Sequence, residues 1–185
     1  LEFVDPSVMF ADDLASAPLN ALADLATPSD YSTHVNQLIL AKQLVAHGAN
    51  VNAVSKPEGE TPLHNACYDG VVTNLDFIEL LLVEGVDPNC RDQTGTTALL
   101  FTPPNCPSAA KFLLNWPATD ANIITLCGAS FLAGVRHTIE YFAFMIARPN
   151  NPDRVQHKFL LQQWHEIEEM LVERGAHDTG IPPVL

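Results

Sequence analysis

The segment Gly59-Glu60-Thr61-Pro62-Leu63-His64 decides the fold, because related phrases follow it at nearly constant intervals. The related segments begin at Gly95 and Gly128, so the leading glycines of successive segments are 36 and 33 residues apart. A second recurring segment precedes each leading glycine, and each copy ends in asparagine. Two interleaved phrases with a period near 33 predict an array of repeats, in which each unit packs on its neighbours. The asparagines that end the second phrase are Asn52, Asn89 and Asn122.

One complete unit starts at Gly59 and predicts two helices. Thr61 suits a helix N-cap, and Pro62 suits the first helical position, where the backbone needs no amide donor. A short helix is expected from Leu63 to Gly70. The second helix has apolar residues at three- and four-residue spacing, and a glycine ends it as a C-cap. Its apolar stripe is Leu75, Ile78, Leu81 and Leu82, and the closing glycine is Gly85.

This pattern resembles the ankyrin repeat, which consists of two antiparallel helices followed by a hairpin-like finger. The resemblance is strongest over residues 38–100, where Thr61-Pro62-Leu63-His64 and Leu81-Leu82-x-x-Gly85 carry it. It implies an all-α repeat solenoid of stacked helix pairs with short fingers and a lengthened C-terminal pair. It also implies that Thr61 and His64 brace the turn between units. The matching signature residues are Gly48, Thr61, Pro62, Leu63, His64, Gly85 and Gly95.

The other units depart from the pattern, as terminal units of a repeat array often do. We interpret Thr27-Pro28 as the start of the first unit, with a polar first helix and a second helix over about His34–His47. In the third unit Phe101 is expected to open the first helix, and the proline-rich stretch 103–107 to form a stiff loop before the second. The last unit is predicted to have helices near 130–147 and 154–174. The apolar face of the final helix is Leu160, Trp164, Ile167 and Leu171.

These features predict one repeat domain with short flanking segments. Residues 1–26 are expected to be an N-terminal segment with a short capping helix, residues 27–178 an ankyrin-repeat domain of about four units, and residues 179–185 a C-terminal tail. A chain of 185 residues with 47% hydrophobic residues can bury one continuous core. No apolar run reaches the ~18 residues that a membrane span requires, so membrane insertion is not expected.

Charge and cysteine content narrow the class of partner and the compartment. The net charge of −13 comes from 22 acidic and nine basic residues. Binding to nucleic acid is disfavoured, because no basic stripe is present to replace phosphate counterions. A basic protein segment is therefore the favoured partner, and a monomer the favoured state. The four cysteines form no Cys-x-x-Cys pair and are expected to be free thiols of an intracellular protein, cytoplasmic or nuclear.

Three sets of residues could carry chemistry, but each also has a structural interpretation. His165 and Glu169 lie one helical turn apart, yet a zinc-protease helix needs a second histidine. His64 and Cys67 could be half of a zinc site, but no second pair at ligand spacing follows. Cys106 could be an exposed nucleophile, although no base accompanies it. No catalytic, metal or cofactor residue is therefore expected. Of the two tryptophans, Trp164 is expected in the core because it lies on the apolar face of the final helix, and Trp116 is a candidate interface anchor.

An ankyrin-like stack implies a protein-interaction module that binds its partner on a concave surface. Two alternatives remain open. The chain could be a structural or targeting module of a larger protein whose catalytic or zinc-finger part lies elsewhere, or a small enzyme whose divergent C-terminal half forms a pocket of titratable groups. The candidate partner-binding residues are Asn65, Tyr68, Asp69, Arg91, Gln93, Thr94, Thr96 and Phe101.

Overall fold

The regular elements of the computed structural model are helices, as the repeat pattern predicts. The structure describes residues 18–24, 31–55, 57–68 and 75–181. Seven helices lie within these ranges: α1 (Pro18–Asp24), α2 (Tyr31–Ala46), α3 (Pro62–Tyr68), α4 (Leu75–Val83), α5 (Pro107–Asn115), α6 (Phe131–Ala147) and α7 (Arg154–Glu173). The all-α repeat fold is therefore confirmed. Residues 1–17 and 25–26 of the expected N-terminal segment lie outside the described residues, as do Thr27, Pro28, Asp69, Gly70 and 182–185.

The helices pack as successive pairs. α3 contacts α4 within one unit, and α6 contacts α7 within the last unit. Between units, α1 packs on α3, α2 packs on α4, and α5 packs on α7. Two rows result, which we call the inner row (α1, α3 and α6) and the outer row (α2, α4, α5 and α7). The buried aliphatic residues form one cluster that runs from α1 to α7.

The repeated asparagine joins each unit to the following one. Asn52 accepts a hydrogen bond from the amide of Asp87 (3.1 Å) and donates one to the carbonyl of Gly85 (3.2 Å). Asn89 repeats this pair one unit later, with the backbone of residues 118 and 120 (2.7 and 2.8 Å). Asn122 accepts from the amide of His177 at the end of the last unit (2.8 Å). The sequence period therefore reflects a periodic contact between units.

A hydrogen bond equivalent to one made by α3 places α1 in the inner row. Asn20 of α1 donates to the carbonyl of Glu60 (2.9 Å), as His64 of α3 bonds the carbonyl of Thr96 (3.1 Å). The sequence supports this equivalence, because Pro18-Leu19-Asn20 parallels Pro62-Leu63-His64. We infer that α1 is the inner helix of the first unit, where the sequence interpretation placed an extra helix ahead of a unit beginning at Thr27. The boundary at residue 27 stays a prediction, since residues 25–30 are not described.

The third unit differs from the prediction in its inner element. Phe101 does not open a helix: the chain makes a single turn, in which the amide of Phe101 bonds the carbonyl of Thr97 (3.1 Å). The reason is local, because Pro103 and Pro104 have no amide hydrogen and a proline disfavours helical geometry in the residue before it. The chain becomes helical again at Pro107, which occupies the first position of α5.

The last unit has the lengthened helices that the sequence predicts. Trp164 of α7 is buried, packs near Phe131 of α6 (ring centroids 6.4 Å apart), and donates its indole N–H to the carbonyl of Pro104 (2.7 Å). Arg136 of α6 pairs with Glu168 of α7 (2.8 Å) and with Asp178 beyond α7. These polar contacts join α6 to α7 and to the segment that follows α7.

Candidate functional site: the concave groove

A large cleft lies on the concave side of the second and third units, between their fingers and the inner row. Its volume is about 1010 Å³. Arg91 is not among its lining residues, and Asp69 lies outside the described part of the chain. The structure therefore brings six of the eight candidate residues together, and these are Asn65, Tyr68, Gln93, Thr94, Thr96 and Phe101.

An aromatic cluster forms one wall of the groove. Tyr68, at the end of α3, is 65% exposed and meets Phe101 edge to face, with ring centroids 5.9 Å apart. Phe101 also contacts the ring of buried His64 at 5.3 Å and 88°. The single turn of the third unit therefore still places Phe101 beside Tyr68, although it does not form the expected helix. Tyr68 and Phe101 together offer an apolar surface, and the contact with buried His64 holds the Phe101 ring in place.

Leu126 completes the apolar surface and was missed in the sequence analysis. It is 77% exposed and lines the groove from the third finger, and its amide donates to the carbonyl of Thr94 in the second finger (3.0 Å). A sequence signal does exist, because Leu126 stands two residues before a leading glycine, as do Pro57 and Gln93. Among these equivalent positions, Leu126 is the one occupied by an aliphatic side chain.

The charge around this apolar surface is negative. Glu58, Glu60 and Asp92 line the groove, and within the described part of the chain no lysine or arginine lines it. One Asp92 oxygen accepts hydrogen bonds from the amides of Thr94 and Thr96 (both 2.8 Å), which holds that carboxylate in place. An acidic rim beside exposed aromatic and aliphatic side chains suits a ligand with basic and apolar groups.

Several candidate residues also hold neighbouring fingers together. The Gln93 amide donates to the carbonyl of Glu58 (3.1 Å), and its side chain donates to the carbonyl of Pro57. Arg91 donates from its guanidinium to the carbonyl of Ile124 (2.9 Å). Gly95 has a positive φ of 79°, and a Cβ there would lie 3.0 Å from Leu126. The fingers thus form a connected edge, and substitutions of Arg91 or Gln93 would test structure as well as binding.

His64 has the structural position that the repeat pattern implies. Its Nδ1 accepts from the amide of Thr61 (3.1 Å) and lies 2.8 Å from the Thr61 hydroxyl, so Nε2 carries the proton that is donated to the carbonyl of Thr96. This network fixes a neutral imidazole. Burial lowers the pKa of His64 below its ordinary value, and it outweighs the opposing effects of the Thr96 carbonyl and Asp92.

The remaining reactive residues occupy structural or exposed positions. Cys67 is buried, and burial, together with nearby Cys106, raises the pKa of its thiol. Cys106 itself is buried, which corrects the view of it as an exposed nucleophile. His165 is exposed and lies 3.8 Å from Glu168 rather than pairing with Glu169. Within the described residues, no group of three His, Cys, Asp or Glu side chains is placed to hold a metal ion.

Comparison with known proteins supplies the family. A model described as ankyrin repeats (3 copies) matches residues 31–125, a little over half of the chain. The chain is also similar to the human 2-5A-dependent ribonuclease (43% identity over 62 residues, 34% of this chain) and to its mouse counterpart (40% over 64 residues, 35%). A third similar protein is the potassium channel AKT3 of Oryza sativa subsp. japonica, at 32% identity over 74 residues, 40% of this chain.

Each match spans 8% of the length of the relative concerned. No described helix is both long and apolar enough to cross a membrane. The comparisons agree with the paired helices, the linked fingers and the asparagine contacts between units, all of which recur with the period of the sequence. The chain therefore belongs to the ankyrin-repeat family.

Proposed function

We propose that this chain is a protein-interaction module that binds a basic segment of a partner protein, with apolar side chains, in its concave groove. One observation carries the proposal: the apolar surface of Tyr68, Phe101 and Leu126 stands beside the carboxylates of Glu58 and Asp92, and the described residues that line the groove include no lysine or arginine. Aromatic anchors contribute contact area at low entropic cost, and carboxylates speed the encounter with a basic ligand.

The module acts as a monomer inside the cell and has no catalytic activity of its own. The four cysteines are free thiols, which supports the intracellular assignment because the cytosol and nucleus keep protein thiols reduced. The ankyrin fold is an interaction fold. The described titratable residues that line the groove are Glu58, Glu60, Asp92, Tyr68 and Cys127, and no histidine or lysine stands among them to act as a base for the thiol.

A second proposal is that the module belongs to a larger protein and positions that protein's active part. The comparisons favour it, because the matched stretch is a small fraction of a ribonuclease in two species and of a potassium channel in a third. The two proposals are compatible, since a groove that binds a basic segment can also target a catalytic or transport domain to its partner.

A random peptide library displayed on phage tests the groove directly. We expect selected peptides to be enriched in Lys and Arg together with aromatic or aliphatic residues. For the tightest peptide, Tyr68→Ala should weaken binding about tenfold, because it removes an exposed aromatic anchor. Glu58→Lys should slow association, and the effect should shrink at high salt.

Val83→Ala and Glu173→Lys are the matched controls, since both residues are exposed on helices away from the groove. Both variants should bind like the parent. Selection of acidic peptides would refute the basic ligand, whereas unchanged binding by Tyr68→Ala and Glu58→Lys would refute the groove as the site. Asp69→Lys extends the test to the candidate residue that the structure does not describe.

A further inference from the structure

The long inner helix of the last unit continues the concave surface beyond the groove. Tyr68 stands seven residues after Thr61, and His137 stands seven residues after Ser130, the corresponding cap of α6. Tyr68 ends α3, but α6 runs ten residues past His137, which corresponds to about 15 Å of helix. We call residues 137–158 the tip; it comprises this part of α6, the connecting loop and the first turn of α7.

One face of α6 in the tip is exposed and aromatic. His137, Tyr141, Phe144 and Arg148 follow at spacings of four, three and four residues, so they share a face. Tyr141 is 48% and Phe144 63% exposed, while Phe142 on the opposite face is buried. Tyr141 contacts the ring of Phe142 edge to face (centroids 5.4 Å apart), but about half of Tyr141 and more of Phe144, the two side chains of an aromatic stripe, stay exposed to solvent.

The tip differs from the rest of the chain in charge. It contains three basic residues, Arg148, Arg154 and Lys158, and two acidic ones, Glu140 and Asp153, whereas the whole chain has a net charge of −13. The guanidinium of Arg148 lies 5.6 Å from the centre of the Phe144 ring, so charge and aromatic surface form one unit. Among the ion pairs of the described residues, none involves Arg154 or Lys158.

A second cleft lies between the third unit and the tip. Its volume is about 490 Å³, and it lies between Pro104 of the third unit and His137, Tyr141 and Gln156 of the tip. The indole of Trp164 fixes the Pro104 carbonyl at 2.7 Å, which makes this wall rigid. Phe101 lines the groove and Pro104, three residues later in the chain, lines the second cleft together with Tyr141 of the stripe, so the two clefts lie close to one another.

We propose that the tip is a second anchoring surface for the same ligand, and that it takes an acidic stretch with aromatic or aliphatic side chains. This inference rests on the proposed function, because it gives the ligand of the groove a defined order of charge. The basic stretch occupies the acidic groove of the second and third units, and the adjoining acidic stretch contacts Arg148 and Phe144. The partner segment therefore has a basic part for the acidic groove and an acidic part for the basic side chains of the tip.

Three fluorescein-labelled peptides test this: a basic one of Lys and Leu, an acidic one of Glu and Phe, and a peptide joining the two through a short Gly-Ser linker. Binding is measured by anisotropy at 150 mM salt. We expect the joined peptide to bind at least about tenfold more tightly than the basic one, because linkage raises the effective concentration of the second stretch. Arg148→Glu should remove most of this gain without changing the affinity of the basic peptide.

Arg174→Glu is the control, since it makes the same charge change at the other end of α7 and should preserve both affinities. Phe144→Ser tests the aromatic stripe in the same way, with Val172→Ser as its control. The inference is overturned if the joined peptide binds no more tightly than the basic one, or if Arg148→Glu and Arg174→Glu behave alike.

Failure of the groove proposal would be recognised separately. The basic peptide would then bind Tyr68→Ala and the parent chain equally. In that case the acidic peptide alone decides about the tip: binding that Arg148→Glu abolishes and Arg174→Glu preserves would support the second surface, and no binding would overturn it.

Discussion

Replacement of His64 tests the contact that links the second unit to the third. The imidazole is buried, accepts from the Thr61 amide at 3.1 Å and bonds the Thr96 carbonyl at 3.1 Å. His64→Ala would leave both backbone groups without this partner and would open a cavity beside Phe101. An unsatisfied buried polar group costs about 1–3 kcal/mol, so with two groups and the cavity we expect a loss of about 3–5 kcal/mol.

The chain suggests a matched variant that separates hydrogen bonding from packing. Leu100 occupies the position in the third unit that His64 occupies in the second, and it is also buried. His64→Leu should therefore retain most of the packing and lose mainly the hydrogen bonds, at a cost of about 2–3 kcal/mol. His165→Ala, at an exposed position on α7, should cost less than about 0.5 kcal/mol.

The assay is urea unfolding at pH 8, followed by circular dichroism at 222 nm, with the slope m compared between variants. The reasoning predicts the order of stability parent, His64→Leu, His64→Ala. A loss below about 1 kcal/mol for His64→Ala would show that the link between units does not depend on this imidazole. Equal losses for Leu and Ala would show that packing contributes little to it.

Three further outcomes follow from the same contacts. Leu81→Ala should cost about 2–5 kcal/mol because Leu81 is fully buried in α4, whereas Val83→Ala, at an exposed position two residues later, should be nearly neutral by the same unfolding assay. Asn89→Ala removes two hydrogen bonds to the third unit and should cost about 1–2 kcal/mol, and hydrogen exchange should show faster opening of α5; uniform exchange across the array would contradict this. Because the pKa of His64 is lowered on folding, the unfolded chain takes up the proton first, so stability should fall as the pH drops below about 6.5; the part due to this residue should be missing from His64→Leu, and an identical pH dependence in both proteins would refute it.

The sequence predicted the parts of the fold that depend on local preference. The helix boundaries of the complete unit follow from Pro62, the apolar stripe of α4 and Gly85, whose positive φ of 90° only glycine adopts readily. The long helices of the last unit were predicted within one or two residues, because helical periodicity persists over their whole length. The buried position of Trp164 followed from the same periodicity.

The sequence by itself determined that this chain is an array of paired helices, because the leading glycines and the closing asparagines recur with a period near 33 and the second unit has a complete set of cap, apolar stripe and closing glycine. Only the tertiary structure decided what lies beside what. Asn20 bonds residue 60 across 40 positions, and the exposed Leu126 of one finger meets the groove formed by Tyr68 and Phe101 of two earlier units. Such juxtapositions depend on how neighbouring units stack, and local preferences do not specify stacking. Phe101 shows the same distinction. The two prolines that follow it prevent the expected helix, which is a local effect. Its ring still lies beside Tyr68, because packing against His64 positions it.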